Sequence, residues 1–226
     1  PTHFVNSGSR QNYGSSGAPG TFERRGVYTA CIGARFEVPN RMEWQSIMVT
    51  PEQNTVANGY GPAQDTECGS EGSDEVNGSL PMRRALRQAW ARAYGKEYLP
   101  TYDEARKRHE NDPDAYLEIQ SWMPGPPGMP TLFDKGLYKQ RLRLTIEPFL
   151  IDADRRAQQA ATKAYVHVVG LGIGAWMVDE RQAALMVESY AEILHELSLP
   201  AIHTIDFSWF GGVDSCGGVA GGAEFP

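Results

Sequence analysis

The last third of the chain shows the clearest pattern of apolar and polar positions. Residues 165–169 form a short, valine-rich run typical of a strand, and residues 170–176 follow it as a glycine-rich turn. Apolar residues then recur every three or four positions over 179–197, which predicts a helix that packs through one stripe. Residues 201–207 predict a further strand. Strand, helix and strand in so short a stretch predict two parallel strands joined by a right-handed crossover, and therefore an α/β fold with a layered sheet.

The first part of the chain gives weaker signals. Residues 27–36 are rich in β-forming side chains and predict a first strand, and residues 44–49 predict a second, shorter one. Apolar positions over 82–94 follow the spacing of a core-facing helix. Pro81 before this stretch and Gly95 after it delimit the predicted helix.

The middle of the chain combines charged, proline-rich and alternating segments. Residues 103–111 predict a short, highly charged helix, and the prolines of 124–130 predict a surface loop. Apolar and polar residues alternate over 138–147, which predicts a strand with one polar face. Asp152 is placed to cap a helix that runs to about residue 163.

Composition sets the expected domain organisation. Residues 1–24 are rich in Gly, Ser, Asn and Pro without periodicity, so we expect an extended arm. A chain of 226 residues lies within the range of one large domain. We therefore expect residues 25–226 to form one domain around a single core.

Charge and cysteine content exclude several classes of protein. A formal net charge of -7 is expected to repel a phosphate backbone, so we expect no nucleic-acid partner. No apolar run reaches the roughly 18 residues of a membrane span, so we expect no membrane association. Cys31, Cys68 and Cys216 follow neither a disulfide nor a zinc-site pattern, and the histidines show no zinc-site spacing. A cytoplasmic monomer without a bound metal is the expectation.

The glycine-rich turn is the strongest functional signal. Gly170, Gly172 and Gly174 allow close approach of a ligand to the backbone and expose successive N–H groups, which suits a pyrophosphate. Trp176 at the rim is placed to stack on a sugar or base. The alternative is that the glycines only make a tight connection between strand and helix.

The same turn also fits the relaxed dinucleotide fingerprint, with Gly170, Gly172 and Ala175 at its three positions. That fingerprint belongs to the first strand and helix of a sheet that continues through several further strands. Here only one clear strand follows. A nicotinamide-dependent oxidoreductase is therefore a less favoured alternative.

A long acidic loop is the second functional signal. Residues 53–86 contain many glycines and a set of amide and carboxylate side chains: Asn54, Asn58, Asp65, Glu67, Glu71, Asp74 and Glu75. Acidic loops of this kind are usually solvated surface, and that alternative stays open. Long ordered loops, however, often carry function.

The order of these parts resembles the macrodomain superfamily. The resemblance covers about residues 27–210 and depends on a strand ending in GARFE at 33–37, NGYGP at 58–62, VGLGIGAW at 169–176 and DFSWF at 206–210. Within that superfamily the chain is most similar to the divergent MavL-like branch, which resembles poly(ADP-ribose) glycohydrolase and removes ADP-ribose from arginine. The common NAAN and GGG…QEE signatures are absent.

The resemblance implies a three-layer α/β/α fold with a central mixed sheet and an insert at about 96–135. It also implies ADP-ribose as the ligand, with no cofactor. Glu37 would meet the adenine, and Asn54, Asn58 and Gly59 the distal ribose. The pyrophosphate would be wrapped by the whole turn, formed by Gly170, Leu171, Gly172, Ile173, Gly174, Ala175 and Trp176. Three residues of the last strand and its end complete the predicted ligand site: Asp206, Trp209 and Phe210.

Cleavage of an ADP-ribosyl N-glycosidic bond needs a carboxylate that positions or deprotonates water and stabilises an oxocarbenium-like state. A second acid can hold the leaving guanidinium by paired hydrogen bonds. The acidic loop supplies four candidate catalytic residues: Asp65, Glu71, Asp74 and Glu75. We expect an ADP-ribosyl hydrolase that acts on ADP-ribosylated protein, with ubiquitin as one candidate. The alternative is a reader that binds ADP-ribose without cleaving it.

His167 alternates with Val166 and Val168 in the predicted strand. Because that strand is expected to be buried, we interpret His167 as a core histidine rather than as a base or a ligand.

Overall fold

A computed structural model describes residues 2–6, 27, 29, 31–62, 79–120, 123 and 125–225. It divides into two compact units. The first, unit 1, comprises Pro1–Gly33 and Leu142–Pro226, and the second, unit 2, comprises Ala34–Arg141.

Helices and short strands alternate along the chain. Their order is β1 (Thr2–Asn6), α1 (Trp44–Ile47), β2 (Met48–Val49), a 3-10 turn (Val56–Asn58), α2 (Leu80–Ala93), α3 (Tyr102–Asn111), β3 (Tyr116–Glu118), β4 (Leu132–Asp134), α4 (Lys135–Gln159), β5 (Ala164–Val169), α5 (Gln182–Glu196), β6 (Ile202–Ser208), β7 (Ser215–Cys216), β8 (Val219–Ala220) and β9 (Glu224–Phe225). None of the helices in the described ranges has both the length and the apolar sequence that crossing a lipid bilayer requires.

Unit 1 contains a four-stranded mixed sheet in the order β5-β6-β1-β9. The strands β5, β6 and β1 run parallel, and β9 pairs antiparallel with β1. The predicted parallel pair and the α/β class are thereby confirmed. Residues 2–6, which the sequence predicts to lie in an extended arm, form an inner strand of this sheet.

The helix α5 covers one face of this sheet. Val166 and Val168 of β5 are buried, and the Tyr190 ring of α5 meets the Phe207 ring of β6 edge-on at 4.9 Å. The predicted helix over 179–197 begins three residues later than expected. Gln182 is the first residue of α5, and its side-chain oxygen accepts hydrogen bonds from the Val178 and Asp179 backbone N–H groups, which precede the helix.

Unit 2 contains the antiparallel sheet β2-β4-β3 with α2 and α3. One cluster of its core joins strand and helix residues: Val49, Tyr102, Ala105, Tyr116 and Leu132. The helix α3 confirms the predicted charged helix. It starts with a capping box, in which the Thr101 hydroxyl accepts from the Glu104 N–H and the Glu104 carboxylate accepts from the Thr101 N–H.

Two predicted strands near the start of the chain are wrong. Residues 27, 29 and 31–36 form no strand, and most of the stretch 44–49 is the helical turn α1, closed by Ile47 N–H donating to the Glu43 carbonyl. Only Met48 and Val49 are extended. Strand propensity reflects packing on a sheet, so it cannot identify a β-rich segment that has no neighbouring strand.

The predicted strand over 138–147 is also wrong, because the residues belong to α4. The alternating sequence also places apolar residues four apart, and these form a fully buried helical stripe at Tyr138, Leu142, Ile146 and Leu150. The helix begins far earlier than Asp152. Asp134 stands before it and accepts a hydrogen bond from Leu137 N–H at 2.8 Å.

The helix α2 confirms the predicted element but not its buried face. Met82 and Leu86 are exposed, whereas Arg87 and Ala91 are buried. The Arg87 guanidinium lies 4.8 Å from the centre of the Tyr60 ring and is therefore accommodated by a cation–π contact.

Candidate functional site

The glycine turn lies at the carboxyl edge of the parallel strands in unit 1. It starts directly after β5, whose last residue, Val169, pairs with Ser208 at the end of β6. Trp209 and Phe210 follow β6 at the same edge. In open α/β sheets, ligands bind in the crevice at the carboxyl ends of the strands.

The turn leaves a run of backbone donors unused. At its start, Leu171 N–H donates to the Met186 sulfur at 3.4 Å, and at its end Met177 N–H donates to the Gly174 carbonyl. Between them, within the described part of the chain, four backbone N–H groups donate no hydrogen bond to protein: those of Gly172, Ile173, Gly174 and Ala175. Unused donors on successive residues form a concave surface suited to an anion.

Backbone conformation explains one glycine at the turn, and close packing explains a second glycine that lies against it. Gly172 has a φ of 73°, a left-handed conformation that glycine adopts at no steric cost. A Cβ on Gly33 would lie 2.4 Å from the carbonyl carbon and oxygen of Leu171 and 2.6 Å from the nitrogen of Gly172. Gly33 therefore supports the turn by direct backbone contact, a role the sequence alone did not indicate.

Neither packing nor backbone conformation requires a glycine at position 174. A Cβ there would meet nothing within 4 Å, and its φ lies outside the left-handed region. Open space above an exposed glycine is what the approach of a ligand to the backbone requires.

The two aromatic residues at the end of β6 have different environments. Trp209 is 66% exposed and has a φ of 69°, which is unusual for a bulky residue. Phe210 is fully buried and packs edge-on against Phe207 at 5.3 Å. Strained, exposed residues of this kind cluster at ligand sites, so Trp209 is a candidate for contact with a ligand.

Asp206, predicted to contact ADP-ribose, is buried in β6. Its Oδ2 accepts a hydrogen bond from the Tyr165 hydroxyl at 2.9 Å and lies 3.0 Å from Nδ1 of His167. The His167 side chain is 46% exposed. The interpretation of His167 as a core histidine is therefore wrong, because β5 buries only the face that carries Val166 and Val168.

The exit of the turn is braced by an ion pair. Arg181 binds both oxygens of Asp179 through Nε and Nη2, each at 2.7 Å, and its backbone N–H donates to the same carboxylate. Partial burial would raise the pKa of Asp179, but the bonds from Arg181 prevail and hold this pKa below its usual range.

The residues predicted to hold the distal ribose lie in unit 2. Asn54 is buried, accepts from Thr50 N–H at 3.1 Å and donates to the Pro100 carbonyl at 3.0 Å. Asn58 donates to the carbonyls of residues 52 and 53, and Gly59 closes the 3-10 turn with a φ of 87°. These two amides thus shape the loop itself. Glu37 is exposed at a bend.

The four candidate catalytic acids, Asp65, Glu71, Asp74 and Glu75, lie outside the described residues, so their roles stay predictions. In the described ranges no three His, Cys, Asp or Glu residues form a group that could hold a metal ion.

Among the described residues of unit 2, cavities of about 350 and 530 Å³ lie within the predicted insert and its borders. The smaller one contains the buried Asp134, and the larger one is bordered by the proline loop after β3. None of the residues lining either cavity is one that the sequence predicts to bind ADP-ribose.

Comparisons with known proteins give one family. The profile described as "ADP-ribosylhydrolase MavL-like" matches residues 1–226. Two curated relatives come from Drosophila melanogaster: "ADP-ribosylarginine hydrolase CG3568", 35% identical over 213 residues, and "ADP-ribosylarginine hydrolase CG2909", 31% identical over 225 residues. The matches cover 92% and 98% of this chain but 38% and 40% of the relatives. The chain therefore spans about two fifths of the length of these relatives.

Proposed function

The chain belongs to the MavL-like ADP-ribosylhydrolase family, and we propose that it is an ADP-ribosyl hydrolase domain that removes ADP-ribose from arginine in modified proteins. The family membership agrees with the MavL-like part of the resemblance found in the sequence, and the macrodomain placement stays a proposal. The arginine linkage is supported by the names of the two relatives.

The observation that carries this proposal is the run of unused backbone donors in the glycine turn. Four successive N–H groups at 172–175, an uncrowded Gly174 and the exposed Trp209 occupy one edge of the sheet in unit 1. Backbone donors of this kind bind phosphate oxygens, and an exposed tryptophan stacks on a base or ribose. A nucleoside diphosphate linked to a second sugar contains both groups.

The proposed chemistry is the attack of water on the anomeric carbon of the distal ribose. The new C–O bond forms as the C–N bond to the guanidine breaks, and the proton lost by water passes through a carboxylate to the released guanidine. Asp65, Glu71, Asp74 and Glu75 are the proposed carboxylates. We also propose a macrodomain-like, three-layer arrangement and a protein substrate such as ubiquitin.

Gly174→Val tests the binding site without disturbing the fold. A valine there meets no protein atom at its Cβ but occupies the space over the unused donors. We expect at least a tenfold loss of ADP-ribose affinity by calorimetry, an intermediate loss for Gly174→Ala, and no loss of melting temperature for either variant. Full affinity in the valine variant would contradict a ligand on this turn.

Release of ADP-ribose from arginine-modified protein tests the activity itself. Alanine variants at Asp65, Glu71, Asp74 and Glu75 identify the base, since its loss should lower kcat while binding is retained. Tight ADP-ribose binding without any release would show a reader. A preference for NAD over ADP-ribose would point to an oxidoreductase.

A further inference from the structure

The helix α5 contacts the glycine turn near both of its ends through two side chains. Gln182 is the first residue of this helix and Met186 lies one turn later, so the two share a face. Both residues are fully buried. Met186 accepts a hydrogen bond from Leu171 N–H at the start of the turn, and Gln182 accepts from the segment that follows its end. Helix and turn are thus joined at two points one helical turn apart.

The side-chain oxygen of Gln182 binds two successive backbone donors. It accepts from Val178 N–H at 2.7 Å and from Asp179 N–H at 3.0 Å. Because the amide oxygen accepts and the amide nitrogen only donates, these two bonds also fix the orientation of the side-chain amide. The nitrogen is buried and has no hydrogen-bond partner among the described residues. The oxygen therefore provides the whole polar contact of this side chain.

The segment that Gln182 binds continues directly into the unused donors of the turn. Met177, the residue before Val178, donates its N–H to the Gly174 carbonyl, and Gly174 is one of the four residues at 172–175. A shift of Val178 is therefore transmitted to the middle of the turn through one residue and one hydrogen bond. Successive N–H groups bind an anion only while they converge on it, so the position of Val178 affects the anion-binding geometry.

We propose that Gln182 and Met186 are positioning residues that hold the glycine turn in its ligand-binding conformation before the ligand arrives. Both are buried, so they act through the backbone of the turn rather than by contact with the ligand. A turn that is ordered in advance spares the complex the entropy cost of ordering it on binding. This inference rests on the proposed function, because it takes the pyrophosphate of ADP-ribose as the group that the turn binds.

Two substitutions of Gln182 test whether its oxygen is what matters. Leucine has a similar volume but no acceptor, so Gln182→Leu should raise the Kd for ADP-ribose about tenfold, the cost of ordering about one residue's backbone on binding. Hydrogen exchange of the Val178 and Asp179 amides should be faster in the same variant without ligand. Gln182→Glu retains an oxygen acceptor and removes no existing bond of the nitrogen, so both values should return close to those of the wild type.

Two further variants on α5 complete the set. Met186→Leu keeps the volume but removes the sulfur, and because a thioether is a weak acceptor we expect a smaller rise in Kd, about threefold. Ser189→Ala is the matched control. Ser189 is also buried on α5, but its hydroxyl donates to the Leu185 carbonyl within the helix. Its removal should change neither the Kd for ADP-ribose nor the amide exchange at positions 178 and 179.

Calorimetry separates positioning from a merely structural role. A structural role would lower the number of binding sites in Gln182→Leu as folded protein is lost, with an unchanged Kd, and that result would overturn the inference. Equal losses of affinity in Gln182→Leu and Gln182→Glu would overturn it as well. If Gln182→Leu does not fold, a wild-type Kd in Met186→Leu decides against it.

The wild type keeps the two proposals apart. If it does not bind ADP-ribose, the proposed function fails and the positioning role fails with it. If it binds ADP-ribose and Gln182→Leu binds equally tightly, only the positioning role is removed.

Discussion

Gly33→Ala should loosen the glycine turn from a position far away in the sequence. The added methyl group would lie 2.4 Å from the carbonyl carbon and oxygen of Leu171, where an ordinary contact requires 3.4–4 Å. The obstacle is backbone rather than a flexible side chain, so one of the two segments must move by about 1 Å. Overpacking of this kind costs about 1–3 kcal/mol.

Part of that cost is offset in the unfolded state. Replacing glycine by alanine removes backbone freedom there and contributes about 0.4–1 kcal/mol in favour of folding. With mid-range values of about 2 and 0.7 kcal/mol for the two effects, the net loss is about 1.3 kcal/mol, or about 3–5 °C in melting temperature for a chain of this size. Because hydrogen bonds weaken steeply with distance, a displaced turn should also bind ADP-ribose about tenfold more weakly.

Differential scanning calorimetry and ADP-ribose titration measure the two effects. Gly174→Ala is the control for stability, because a Cβ at that position meets nothing within 4 Å, so this variant should show only the unfolded-state gain of about 0.4–1 kcal/mol and no loss of melting temperature. A Gly33→Ala protein as stable as the wild type, with the same ADP-ribose affinity, would refute the backbone contact as the support of the turn.

Two further predictions concern the borders of the same site. Trp209→Gly should stabilise the protein by about 1 kcal/mol, because it relieves the strain of a left-handed conformation at φ 69°. The affinity for ADP-ribose should fall in the same variant. A lower stability in urea unfolding would show that Trp209 is mainly a packing residue. Asp179→Asn should destabilise the protein at pH 7, and this effect should shrink progressively in acid. The folded-state pKa of Asp179 is lowered, so its stabilising contribution is present above the unfolded-state pKa of about 3.9 and is lost as the pH falls through the folded-state value. A difference between variant and wild type in urea unfolding that stays the same from pH 7 into the acid range would contradict this.

The sequence by itself determined the parts of the protein in which local pattern and structure coincide. The strand, turn and helix after residue 164 follow from spacing alone, since a period of two or of 3.6 directly states which residues share a face. The same holds for α3, whose Thr101 and Glu104 form a local cap. The family was also accessible, because the resemblance depends on short runs of consecutive residues such as 169–176.

Only the tertiary structure decided the features that depend on neighbours distant in sequence. The sequence over 138–147 fits a strand and a helix equally well. These residues form part of the helix α4, in which the apolar residues spaced four apart from Tyr138 to Leu150 are fully buried. The sequence neighbours of His167 do not reveal which face of the strand is buried, because its exposure depends on the face that α5 covers. Gly33 supports the glycine turn through a backbone contact that no pattern of side chains encodes, because it arises from two segments meeting in space.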